Sequence, residues 1–139
     1  MDPFNTEQTL PVWQRVTATI SRDDSVETVP TVLALRAAYR SLSQRTPMFR
    51  QLSARKAAQA NCINGIRRLS GQKPQQAPSP LPRLAGLPLM QWCYRQELNL
   101  LRHCELRSAD PVCGVVWTRL AEEQRGICRI LLEQMGRMR

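Results

Sequence analysis

Apolar residues in the last third of the chain recur at the helical period. At about 100° per residue, Cys113, Val116, Leu120, Ile127 and Leu131 share one face, with Trp117 and Met135 beside them. Arg119, Glu122, Arg125, Arg129 and Glu133 lie opposite, where Glu122–Arg125 and Arg129–Glu133 pair along the helix. The preceding stretch repeats the pattern with Leu89, Cys93, Leu100, Leu101 and Cys104. The short Ser108-Ala109-Asp110 connection makes these two an antiparallel hairpin. The stripe of Val116, Trp117, Leu120, Ile127 and Leu131 reads as a packing or dimerising face, and a homodimer is the expectation.

Proline punctuates the rest. Pro11, Pro30, Pro47, Pro88 and Pro111 each precede an apolar-periodic stretch. Proline is tolerated at the first helical position because its missing N–H needs no partner there. Thr46 and Asp110 are good N-cap residues immediately before two of them. Helices are predicted over 11–21, 30–44, 47–69, 88–107 and 111–136, with no strand alternation. The fold class is all-α: a small bundle of about five helices ending in an antiparallel hairpin. Between Gly71 and Gly86 stand Pro74, Pro78, Pro80 and Pro82 among several glutamines, which reads as an extended linker. The organisation is a basic three-helix region over 1–70, a Pro/Gln-rich linker over 71–86 and the helical hairpin over 87–139.

In the 47–69 helix, Met48, Leu52, Ile63 and Ile66 define an inner face. Arg50, Ser53, Ala57, Asn61, Asn64 and Arg68 run along the other side for about 27 Å at 1.5 Å per residue. Arg55, Lys56 and Gln59 interrupt the inner face. Either they snorkel at the bundle edge, or the middle turns are open to a partner chain or ligand. Glu97 sits near the centre of an apolar face, the place of a buried acid held by a structural partner such as an arginine.

Charge changes the picture most. From residue 28 to residue 96 there is no Asp or Glu, yet Arg36, Arg40, Arg45, Arg50, Arg55, Lys56, Arg67, Arg68, Lys73, Arg83 and Arg95 fall in that span. At the chain's own acid frequency about five acids belong there. The flanks sum to −3 (residues 1–27) and +1 (97–139), which with +11 gives the net +9. Such a field attracts polyanions. Arginine outnumbers lysine 18 to 2, and its planar fork suits bidentate phosphate contact. Candidate nucleic-acid contacts are Arg36, Arg40, Arg45, Arg50, Arg55, Lys56, Asn64, Arg67 and Arg68, with RNA favoured over DNA. Tyr39, Phe49, Trp92 and Tyr94 are the aromatics near enough to stack on bases.

Catalysis finds little footing. No P-loop, dinucleotide fingerprint or H-E-x-x-H occurs, and the one histidine, His103, points about 100° away from Cys104 on a helix. Five cysteines without a C-x-x-C pair argue for free thiols in a reducing compartment, cytoplasm or nucleus, and against a zinc site. The N-terminus lacks the pattern of a secretory signal, and no apolar run reaches the roughly 20 residues that span a bilayer. No cofactor or metal is implied. In composition the chain resembles, in a general way, small basic helical accessory proteins of viruses, which bind RNA or host factors. The expectation is a non-catalytic binding protein that engages nucleic acid. The rival is an interaction module docking an acidic protein, with Trp13, Trp92 or Leu33 as anchors.

Overall fold

The structure is a computed structural model and describes residues 28–138. Four helices occur among them: α1 over residues 28–42, α2 over Met48–Leu69, α3 over Gly86–Arg107 and α4 over Gly114–Arg137. The all-α class holds; the described residues carry four helices, and the fifth, expected over 11–21, lies outside them. Helices α2, α3 and α4 each begin within three residues of their proline. Pro88 lies inside the first turn of α3, where no N–H is required. Thr46 does not cap α2 with its hydroxyl; its carbonyl accepts from Phe49 N–H instead. Asp110 acts one turn before α4: its Oδ1 accepts the N–H groups of Val112 (2.7 Å) and Cys113 (3.0 Å). Those two bonds hold its carboxyl below the usual range. Gly114, the first residue of α4, has no room for a side chain: a Cβ there would stand 2.5 Å from the Ser108 carbonyl oxygen.

Leu42 and Thr46, Gly86 and Leu89, and Met138 surround one cavity of about 440 Å³. The end of α1, the starts of α2 and α3 and the end of α4 therefore share one end of the bundle. Helices α2 and α3 run parallel, so the chain between them must return the full length of the bundle. Residues 70–85 do this. Sixteen extended residues reach about 50 Å, against about 33 Å for the 22-residue α2. The linker is thus a bound crossover. The Asn64 amide donates to the Gln75 carbonyl (2.8 Å) and accepts the Gln75 N–H (2.9 Å). Arg67 Nε donates to the Lys73 carbonyl, and Ser79 N–H donates to the Pro30 carbonyl.

All four helices feed one apolar cluster, in which Leu35, Phe49, Leu52, Ile63, Leu89, Leu100, Trp117, Ile127 and Leu131 are buried. Through its middle runs a polar layer with one contribution or more from each helix. Lys56 Nζ donates to Glu97 Oε1 (2.6 Å) and Gln124 Oε1 (2.9 Å). Tyr39 Oη donates to Glu97 Oε2 (2.5 Å). Gln124 Nε2 returns to Glu97 Oε1 (2.7 Å) and the Glu97 carbonyl, while Gln59 Nε2 bridges Gln124 and Glu123. Lys56 and Glu97 are both 0% exposed.

This layer corrects the reading of α2, and the surrounding core places the stripe expected at a dimer face. Lys56 and Gln59 neither snorkel nor wait for a partner chain; their ligands are Glu97 and Gln124 inside the same protein. The buried face of α2 is Phe49, Leu52, Lys56, Gln59, Ile63 and Ile66, repeating at steps of three and four. Of the expected inner face Leu52, Ile63 and Ile66 are buried, Phe49 stands in the place given to Met48, and Lys56 and Gln59 form its centre instead of interrupting it. The apolar stripe proposed for a homodimer is also consumed: Trp117, Leu120, Ile127 and Leu131 are buried within the monomer, and Val116 packs against the same core. Burial of apolar area, the reason for assigning that stripe to a dimer, is satisfied intramolecularly.

Two outcomes follow for stability. Lys56→Met leaves a carboxylate in the interior without its cation, at a cost of about 3–5 kcal/mol in urea unfolding, and Lys56→Met with Glu97→Leu together recovers most of that loss. Burial also raises the Tyr39 hydroxyl well above its ordinary 10.0, aided by the Glu97 charge, and pushes the Cys93 and Cys128 thiols from 9.0 to about 12 and about 11. The folded chain keeps protons that the unfolded chain releases, so this stability is whole below pH 9 and drains between pH 9 and 12. Thermal melts across pH 8–11 should show Tm falling above pH 9.

Candidate nucleic-acid interface

The basic surface is organised by the antiparallel pair α1 and α2. Arg36 and Arg40 stand one turn apart on α1, and Arg50 stands near the start of α2. All three are exposed. They open onto one groove of about 600 Å³, lined also by Ser41, Ser43, Gln44, Ser53, Ala54 and Ala57. No carboxylate lines it, and among the described residues none of the three arginines enters an ion pair. The groove's base is fixed. Ser53 is buried and its hydroxyl donates to the Arg36 carbonyl across the helix pair (3.1 Å). Beneath it the Tyr39 and Phe49 rings stack at 5.8 Å and 14°. The turn between the helices is closed by Thr46 N–H to the Leu42 carbonyl (3.1 Å).

The other candidate contacts scatter. Arg45 is exposed in the α1–α2 turn and borders the cavity at the bundle end, whose floor includes Leu42, Leu89 and Met90. Arg55 is exposed but about 140° around α2 from Arg50, away from the groove. Arg68 is exposed on the Arg50 line near the far end of α2. Two assignments fail outright. Lys56 is the buried cation of the polar layer. Asn64 is buried and its amide is committed at both ends to Gln75. Arg67 is half-buried, with Nε given to Lys73. The crossover therefore interrupts the stripe expected from Arg50 to Arg68 at Asn64, while Asn61 and Arg68 stay exposed. Ten of the eleven cations of residues 28–96 lie outside the core.

The stacking role expected of aromatics also contracts, because Tyr39 and Phe49 are fully buried. Of the apolar anchors for a protein partner, Trp92 and Leu33 pack against the core, and Trp13 lies outside the described residues. Sequence reasoning placed Glu97 as a buried acid but gave it an arginine as partner, where the structure has Lys56. It missed the rest of the layer: Tyr39 and Gln124 gave no signal, and Lys56 and Gln59 showed only as interruptions of an apolar face.

Among the described residues no group of three or more His, Cys, Asp or Glu is placed to hold a metal ion, and no helix is long and apolar enough to cross a membrane. Cys93, Cys104, Cys113 and Cys128 are buried, and only Cys62 reaches solvent, in a shallow apolar groove between α2 and α4 beside Val116 and Leu120. Comparison with known proteins finds no matching family model, no matching curated protein and no matching solved structure.

The thiols give a direct check on this arrangement. With a thiol-reactive disulfide at pH 8, mass spectrometry of the native protein should find Cys62 modified first, while Cys93 and Cys128 react only after denaturant is added. Early labelling of Cys93 would contradict the buried layer it packs against.

Proposed function

We propose that this protein is a non-catalytic binder of nucleic acid, RNA before DNA, and that Arg36, Arg40 and Arg50 carry the contact, with Arg45 extending it. The observation behind this reading is the convergence of three arginines from two helices on one groove without a carboxylate. Guanidinium groups without internal counter-ions lose no ion pair on meeting a phosphate, and binding releases the condensed cations of the nucleic acid. Contacts of this kind fix position and carry no sequence information.

A second reading draws on the cavity beside Arg45. Leu42, Leu89, Met90 and Met138 offer it an apolar lining. An acidic protein segment bearing one apolar side chain would fill it while its carboxylates met Arg45 and Arg40.

Fluorescence anisotropy of a labelled RNA across a salt series tests the first reading. Log affinity should fall linearly with log salt, by about 0.7–0.9 per phosphate neutralised. Arg36→Gln with Arg40→Gln and Arg50→Gln should reduce that slope by about two to three and leave Tm nearly unchanged, since all three side chains are exposed. A salt-insensitive complex, or a triple variant that binds like the wild type, discards this reading in favour of the acidic partner.

A further inference from the structure

Resting on that reading, we infer that the α1/α2 groove takes the sugar–phosphate backbone of a duplex in preference to an unstacked single strand. The inference comes from what the groove presents and from how firmly it is held.

Single strands are held by two devices used together: cations that follow the backbone and aromatic faces on which bases stack. The first is here and the second is turned inward. The aromatics nearest the groove, Tyr39 and Phe49, are 0% exposed and stacked on one another beneath it. The Tyr39 hydroxyl is tied to Glu97, so the ring cannot swing out without breaking the polar layer. The groove is lined instead by serine, alanine, glutamine and arginine, so no aromatic ring faces a base there and the guanidinium planes are the one flat surface, already drawn to phosphates.

A duplex asks for something different. Its bases stay stacked on one another, and it presents rigid, regularly spaced phosphates with sugars between them. The arginines match that rigidity. Arg36 and Arg40 form one rim, Arg50 the other, and the distance between rims is set by the Ser53 bond to the Arg36 carbonyl and the closed turn at Leu42 and Thr46. Cations on two rims can meet phosphates on both sides of a narrow groove, which A-form RNA provides in its deep major groove. Small side chains at Ala54 and Ala57 let the backbone approach, and the hydroxyl of Ser41 is exposed at the rim to meet a phosphate or a sugar hydroxyl. A preformed cation array of fixed spacing gains most from a ligand that is itself preformed.

The test is competition at one salt concentration. A blunt RNA duplex of about 20 base pairs and its two separated, unstructured strands compete for wild-type protein against a labelled duplex. The expected result is at least tenfold tighter binding of the duplex at equal nucleotide concentration, with the preference lost in the Arg36→Gln/Arg40→Gln/Arg50→Gln variant. Single strands that compete as well as the duplex overturn this inference while leaving nucleic-acid binding intact. A preference that survives in the triple variant also overturns it, since the duplex then sits elsewhere. Failure of every RNA to bind removes both the inference and the reading beneath it.

Discussion

The ion pair between Lys56 and Glu97 is the constraint from which the rest of this bundle can be derived. Neither group can enter an apolar interior alone, because the loss of hydration far exceeds what packing returns. Together they still leave hydrogen-bonding capacity unmet, and Gln124, Gln59 and Tyr39 supply it. Each of these hydrogen bonds is short and directional, so satisfying the set fixes where four helices stand along one another. A one-turn slide of any helix would move a donor or acceptor by about 5.4 Å and break the layer. Apolar contacts alone are tolerant of such slides; the polar layer is what makes the register single-valued.

That register in turn shapes the exposed face. Because α2 and α3 are parallel, the chain must cross the bundle lengthwise, and the crossover is pinned by Asn64 and Arg67. Two residues that a helical wheel places on a basic stripe are thereby spent on holding the chain to itself. The basic surface that remains is concentrated at the end where α1 turns into α2. There, hydrogen bonds across the turn and the Tyr39–Phe49 stack leave Arg36, Arg40 and Arg50 on fixed supports. The fold draws on the same run of cationic residues that makes the basic surface, and takes Lys56 and Arg67 for itself.

Much of the architecture is legible in the sequence, for identifiable reasons. Pro47 and Pro88 mark helix starts because a ring without an N–H is cheap only there, and α4 shows its face because its apolar positions are almost unbroken. The phase of α2 is not legible. Hydropathy shows Lys56 and Gln59 only as interruptions of an apolar face, whereas pairing makes them its centre, and pairing depends on residues 41 and 65 positions away. The candidate site suffers from the same blindness. Charge alone cannot separate Arg36, which faces solvent, from Lys56, which faces Glu97, nor can it show that Asn64 answers to a crossover with no periodicity of its own.

The crossover also divides the chain into two unequal electrical halves. Residues 28–69 hold the buried cation and the phenol; residues 86–137 hold the buried anion and the glutamine that bridges them. Two copies of the first half meeting each other would bring lysine to lysine, and two copies of the second would bring carboxylate to carboxylate, so self-pairing of either half is repelled at its centre. Only the unlike combination neutralises the interior. The crossover between Ala77 and Leu84, where most side chains are exposed, is thus the covalent tether between a half that brings the buried cation and a half that brings its anion.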